Sequence, residues 1–421
     1  MRQLLNYIYS FLLMFLMLGT QVAAQDSTNP VDEYLQLAAE NNPDLKAIFN
    51  QYLAVLERLP QATALPDPSV MFNVFTSPVE TRVGAQKAGI SISQAFPWFG
   101  QLESQGNVVA QLAKARYQAF EEAKNKLFFD VRATYFDLYV LEAAIEITDE
   151  NILLLESFRQ LANVRLESAT GSAVDLLRVE MDLEELNNQI QYLTDSRTPI
   201  QARFNELLNT ETPVVVVVPD TLQTIAFQEG KNVLLDSIVA QNPLLKSFDY
   251  QMLSLDSEID VAQKMGLPSF TLGLSYIGVA ERTDINLPDN GQDALIFPQV
   301  GVRIPLYRKK YRAMVKEKEL LRASVEYKKE DKANELATFL EKGWRDYSDA
   351  VRRVSLYQRL YRLANQSQDI LVAEYTADGR DFEEILRMER QVLRYELELE
   401  KARADQNTYV AYINYLTAKQ F

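Results

Sequence analysis

The 421-residue chain has no cysteine and no histidine, only 14 glycines and 15 prolines, and two tryptophans. Without cysteine there are no disulfides, no thiol chemistry and no N-terminal cysteine to carry a lipid anchor. Without histidine the commonest neutral-pH acid–base group and metal ligand is missing, so the sequence reads as a non-enzyme with no cofactor. Positive charge is also in deficit: 43 Lys and Arg against 58 Asp and Glu give a net charge of −15. That argues against nucleic acid as a partner, because phosphate binding needs a basic face. Beyond the first residues no run is apolar enough to span a bilayer as a helix. A chain of this kind that enters a membrane must enter it as strands.

What is present begins with an export signal. Arg2 supplies a positive start, Leu4 to Leu18 form an apolar stretch, and Val22-Ala23-Ala24 is a small-residue cleavage site. Residues 1–24 are therefore expected to be removed, leaving a mature chain from Gln25. Of the nine methionines, Met1, Met14 and Met17 fall in this signal. The others are scattered at core-like positions, so they read as gap-filling core rather than a metal relay.

The few prolines and glycines are clustered. No proline lies between Pro97 and Pro199, and none follows Pro305. Proline inside a helix costs ~3 kcal/mol, so these long stretches, rich in Ala, Leu, Glu, Lys and Arg, read as long helices. The shorter stretches between them recur. Asn41-Asn42-Pro43-Asp44-Leu45-Lys46 resembles Gln241-Asn242-Pro243-Leu244-Leu245-Lys246, with Asn42 and Asn242 as caps and proline at the first helical position. Each opens a short helix that ends in a proline-containing turn, and then two strands follow. A proline–aromatic junction comes next, Phe96-Pro97-Trp98-Phe99 in one copy and Pro305-Leu306-Tyr307 in the other. Each junction leads into a very long helix broken by Gly171 or Gly379, after which helix resumes. Matches in the same order imply an internal duplication of about 200 residues. The expected organisation is a first repeat over 25–211, with strands at 69–76 and 88–95 and helices at 101–168 and 173–208. An inter-repeat segment over 212–236 separates it from a second repeat over 237–421, with strands at 269–277 and 298–304 and helices at 309–376 and 382–417. Within the inter-repeat segment, Thr212 to Pro219 reads as an edge strand or an extended belt around the helices.

The strands alternate. Ile90 and Ile92 oppose Ser91 and Ser93; Phe270, Leu272, Leu274 and Tyr276 oppose Thr271, Gly273 and Ser275; Val300, Val302 and Ile304 oppose Gly301 and Arg303. Their lengths suit tilted membrane strands, and the intervening loops, Ser77–Lys87 and Gly278–Phe297, are expected outside the cell. Four strands cannot sit in lipid with open edges. Three chains would supply twelve, an even number within the range of outer-membrane barrels. They would also gather their helices about one axis.

The duplicated Asn-Pro segment, the junction Ile92-Ser93-Gln94-Ala95-Phe96-Pro97-Trp98-Phe99-Gly100 and the two Gly-turn-helix segments resemble the TolC-like outer-membrane efflux proteins over nearly the whole mature chain. Pro97-Trp98-Phe99-Gly100 is similar to members that work with heavy-metal or multidrug pumps of the resistance–nodulation–division type. The resemblance implies a mainly α fold with a small membrane β part: a homotrimeric channel-tunnel in outer-membrane lipid of a Gram-negative cell, crossing the periplasm as an α-helical barrel. It implies an exit duct for tripartite efflux or type I secretion, whose closed tip opens when a periplasmic adaptor and an inner-membrane pump engage. Pro97, Trp98 and Pro305 would mark the barrel-to-helix junctions, and Gly171 and Gly379 the periplasmic tip turns. On the family pattern Glu384 takes the first acidic gate position and Arg387 stands where a second acid is expected. Asp378, Arg380, Asp381 and Glu383 crowd the same turn, with Asp175 opposite in the first repeat. Asp381, Glu383 and Glu384 equally suit the N-terminus of a helix, and the two roles are compatible. Two other readings, a periplasmic adaptor and a trimeric structural coiled coil, fit less well, since neither needs two strand pairs each followed by a hinged helical hairpin.

Overall fold

The computed structural model describes residues 30–284, 286–378 and 382–419. The export signal at 1–24 and the tip residues Gly379, Arg380 and Asp381 lie outside them, as does the side chain of Asp378. In chain order the elements are α1 (Pro30–Asn41), α2 (Pro43–Leu56), α3 (Arg58–Thr63), β1 (Ser69–Thr81), β2 (Gly84–Phe96), α4 (Gln101–Glu167) and α5 (Ala173–Leu208). There follow α6 (Lys231–Gln241), α7 (Pro243–Met265), β3 (Ser269–Ala280), β4 (Ala294–Arg303), α8 (Arg308–Asp378) and α9 (Phe382–Thr417).

The 67 residues of α4 and 71 of α8 make rods of about 100 Å each at ~1.5 Å per residue. Shorter helices pair with each rod. Near the sheet, α2 and α3 pack on α4, and α7 lies between α4 and α8. Farther away, α5 packs on α4, and α9 lies between α4 and α8. The asparagines of the two Asn-Pro segments join the shorter helices end to end. Asn42 accepts from the N–H of Leu45 at 3.1 Å and donates to the carbonyl of Leu207, in the last turn of α5, at 3.2 Å. Asn242 accepts from the N–H of Leu244 at 3.0 Å and donates to the carbonyl of Leu416, in the last turn of α9, at 2.9 Å. One amide thus caps the start of one helix and satisfies an orphan carbonyl at the end of another, in the same way in both halves of the chain.

Between these junctions the segment after α5 crosses the rods as an extended strip. Val214, Val216 and Val218 pack inward, while Val215 and Val217 stay exposed. It joins no sheet, because helix side chains satisfy its backbone instead. Gln201 donates to the carbonyl of Val214, Asn205 accepts from its N–H, the Tyr139 hydroxyl accepts from Leu222, and Asn407 accepts from Ile225. Of the two expectations for Thr212–Pro219, the belt is what forms.

The sheet runs β1-β2-β3-β4, all antiparallel. Its pairings sort side chains onto two faces. Val70, Ile92 and Leu274 fall in line, as do Phe72, Ile90, Tyr276 and Leu295, and Phe96, Phe270 and Val302. The other face carries Ser69, Ser93, Gly273 and Gln299 in one line and Thr271 with Gly301 in another. Among the described residues no helix packs on either face. The apolar face is therefore bare, with Phe72 74%, Val74 77% and Val300 66% exposed. The outer edges of β1 and β4 have no partner strand among the described residues.

The strands run longer than the alternation suggested. β1 continues past Pro78 through a register shift between Val74 and Val79, so only Arg82 and Val83 connect it to β2. A bulge absorbs the residue that cannot donate to the ladder. Ser77–Lys87 is accordingly mostly strand rather than loop. The β3–β4 connection shortens to 281–293, tied down by Asp289 to Arg82 and by Asn290 to Arg282.

Candidate gate at the helical tips

The two hairpins, α4–α5 and α8–α9, turn at the end of the molecule away from the sheet. The first turn is described in full. Thr170 and Gly171 both donate to the carbonyl of Arg165, at 2.9 and 3.0 Å, and Ala169 takes a left-handed conformation at φ 61°. Gly171 is required by proximity: a Cβ there would lie 2.8 Å from the Cβ of Arg165. Ser172 then caps α5 by accepting from Val174 at 3.2 Å.

Just above the turns the hairpins are held together chiefly by apolar contact. Leu155, Phe158 and Ala162 of α4, Val179 and Leu183 of α5, Tyr375 of α8 and Phe382, Ile385 and Leu386 of α9 form one buried cluster. The Phe382 ring sits 5.0 Å from Tyr375 and 6.4 Å from Phe158, so it touches both hairpins. Arg165 crosses between them as well. It donates to the carbonyls of Tyr375 and Thr376, at 2.6 and 3.2 Å, and lies 4.3 Å over the Tyr375 ring. These carbonyls belong to the last turn of α8, whose acceptors have no partners within the helix.

The charged candidates divide. Asp175 and Glu383 are brought together by Arg178, at 3.7 and 2.9 Å, in a bridge from α5 to α9. Glu384 pairs instead with Arg387 one turn along its own helix. The expected second acid is thus a base that neutralises the first. Glu383 and Glu384 also occupy the first turn of α9, where a carboxylate stabilises the helix whatever else it does.

Five residues that matter here were not singled out from the sequence: Arg165, Arg178, Asp182, Glu389 and Arg390. Arg390 reaches Asp182 of α5 at 3.2 Å, a second ion pair between the hairpins. Glu389 is 1% exposed and one of its carboxyl oxygens has no hydrogen-bond partner. Burial first, then the charge of Asp182, pushes its carboxyl up from the usual 4.5 to about 7, with Arg390 opposing. A signal for it was available. Phe382, Ile385, Leu386, Glu389 and Val392 follow helical spacing, and a lone carboxylate on that stripe is out of place unless something faces it.

At the other end, the junctions expected at Pro97, Trp98 and Pro305 link strand to rod. Trp98 stacks on Phe270 at 6.0 Å, on the apolar side of the sheet, and Gly100 enters α4 at φ 76°, a conformation that favours glycine. Pro305 stands between β4 and α8.

No protein-family model matches the chain. It is 22% identical over 253 residues to the toxin and drug export protein A of Aggregatibacter actinomycetemcomitans, an alignment covering 58% of this chain and 55% of that protein. It is 22% identical over 357 residues to the solvent efflux pump outer membrane protein SrpC of Pseudomonas putida, covering 82% of this chain and 71% of the relative. The chain therefore spans about half the length of the first of these relatives. The fold is that of the TolC-like outer-membrane efflux channels. Among solved structures, CusC, described in terms of transmembrane channel formation, superimposes with a TM-score of 0.75 at 15% identity over 92% of both chains.

Proposed function

We propose that the protein is the outer-membrane exit duct of a tripartite efflux or type I secretion system, passively conducting substrates from an inner-membrane pump and periplasmic adaptor to the outside. The observation that carries this reading is the bare four-stranded sheet: one face apolar, the other mostly small and polar, both outer edges open, at the end of rods too long for a globular core. Such a sheet suits lipid on one side and water on the other, and only closure satisfies its edges. Three copies close it with twelve strands. Apolar stripes left exposed on the helices support the same assembly. Val174, Leu177 and Met181 of α5 and Leu356, Leu363 and Ile370 of α8 recur at helical spacing and are exposed. The tips then meet near the axis in the periplasm, where the adaptor engages them, and Asp175, Glu383 and Glu384 serve a closed gate together with their arginines. The sequence subgroup favours a pump of the resistance–nodulation–division type.

Purified protein in detergent should have the mass of a trimer and should form channels in planar bilayers. A stable monomer that conducts nothing would overturn the reading.

A further inference from the structure

Glu389 is the most deeply buried carboxylate near the tips, and its surroundings are unusual. On α9 it sits beside Arg390, which is drawn away to Asp182 of α5. Asp182 itself has its carboxyl raised by burial, against the pull of Arg390, with Glu185 adding negative charge behind it. The contacts Tyr139–Glu400 and Phe158–Phe382 set the register of α4 against α9, and Tyr361–Glu396 and Arg353–Asp405 set that of α8. By these registers Asn151 of α4 and Gln368 of α8 lie at the level of Glu389. Both are buried, and both carry a polar atom without a partner, the Asn151 Oδ1 and the Gln368 Nε2. Toward the tip α8 carries Asp369 and Glu374, both exposed, and then the buried Tyr375 under Arg165. From α4 the nearest is Glu150, which acts on Glu396 farther up α9. Among the described residues, the charges that bear on Glu389 are Asp182, which repels its anion, and Arg390, which is already committed to Asp182.

We propose that Glu389 is a proton-binding switch that couples the packing of the two hairpins, and so the closed state of the duct, to the pH around the tips. Protonated, it rests buried on α9 at the level of Asn151 and Gln368. Ionised, it places a second negative charge beside Asp182 in a space that water does not reach, and the contact loosens. This rests on the duct reading above.

The sign follows from linkage. A carboxyl at about 7 when packed and 4.5 when exposed takes up a proton on closing, so closure is favoured as pH falls through the packed value. Between pH 8 and 6 the closed form gains on the order of ten-fold per copy. Asp182, whose carboxyl burial also raises, acts in the same sense at lower pH. The window for the test is therefore pH 6 to 8.

The experiment records the open probability of the full-length protein in planar bilayers across that window. Open probability in the parent protein should rise several-fold from pH 6 to 8. Glu389→Gln, which keeps shape without charge, should stay at the pH 6 level throughout. Asp182→Asn should move the midpoint to lower pH. A Glu389→Gln protein that keeps the parent's pH dependence overturns the proposal, as does a parent with no dependence. Absence of any channel at all pH values counts against the duct reading instead. Thermal melting in detergent then still tests the switch, because the fall in melting temperature from pH 6 to 8 must vanish in Glu389→Gln.

Discussion

Truncating Phe382 to alanine should open the tip further than removing any of its charges. Phe382 is 2% exposed and packs on Tyr375 of its own hairpin and Phe158 of the other. Deleting a buried phenylalanine side chain costs ~3–5 kcal/mol through lost transfer energy and the cavity left behind. If about half of that loss falls on contacts that part when the hairpins separate, the closed state loses ~2 kcal/mol, on the order of a 30-fold shift toward open. The Arg178 bridge has solvent on both sides, its side chains 35% and 62% exposed, and such pairs contribute ~0.2–1 kcal/mol. Arg178→Ala should therefore shift opening by no more than about five-fold. The assay is single-channel recording, with uptake of a large antibiotic by whole cells as an independent measure of leak. Leu386→Val, a smaller deletion in the same cluster, should fall between the two and guards against misassembly of Phe382→Ala. The reasoning fails if Arg178→Ala or Glu383→Ala opens the duct as much as Phe382→Ala at equal trimer yield.

Other outcomes follow from the fold. Val300→Arg on the bare apolar face should cost ~2–4 kcal/mol in lipid and deplete the protein from outer-membrane fractions, whereas Gln299→Arg on the polar face should be tolerated. Asn242→Ala removes a cap and strands the Leu416 carbonyl, for ~2–4 kcal/mol in all. It should lower the melting temperature more than Asn42→Ala, whose side chain is less buried. N-terminal sequencing of the mature protein should begin at Gln25.

Much of the architecture could be read from the sequence because it is written in periodicities and interruptions. Long proline-free stretches gave the rods, and the repeated Asn-Pro pairs gave the helix starts. Alternation in Phe270–Tyr276 gave a two-faced strand. The length of β1 could not be read, because Pro78 signals a stop to the eye while the structure passes it with a bulge. α1 and α6 were missed because each ends at the Asn-Pro pair that announces the next helix, so the louder signal hid the shorter element. At the tips, attention to charge at the turn favoured Glu384. Its partner proves to be local, and the groups joining the hairpins lie up to two turns farther along, at Arg178, Asp182 and Arg390. Pairings between helices distant in sequence depend on register, and a single sequence does not reveal that register.

The belt at the middle of the rods has a mechanical consequence. It grips α4 around Tyr139, whose hydroxyl accepts from Leu222, and from there to Glu167 the helix runs without proline for ~42 Å at 1.5 Å per residue. A stiff arm held at one point converts angle into distance. A ten-degree tilt about the belt carries its free end ~7 Å, more than the width of a side chain. The lever delivers its travel at the tip, where the apolar cluster joins the two hairpins.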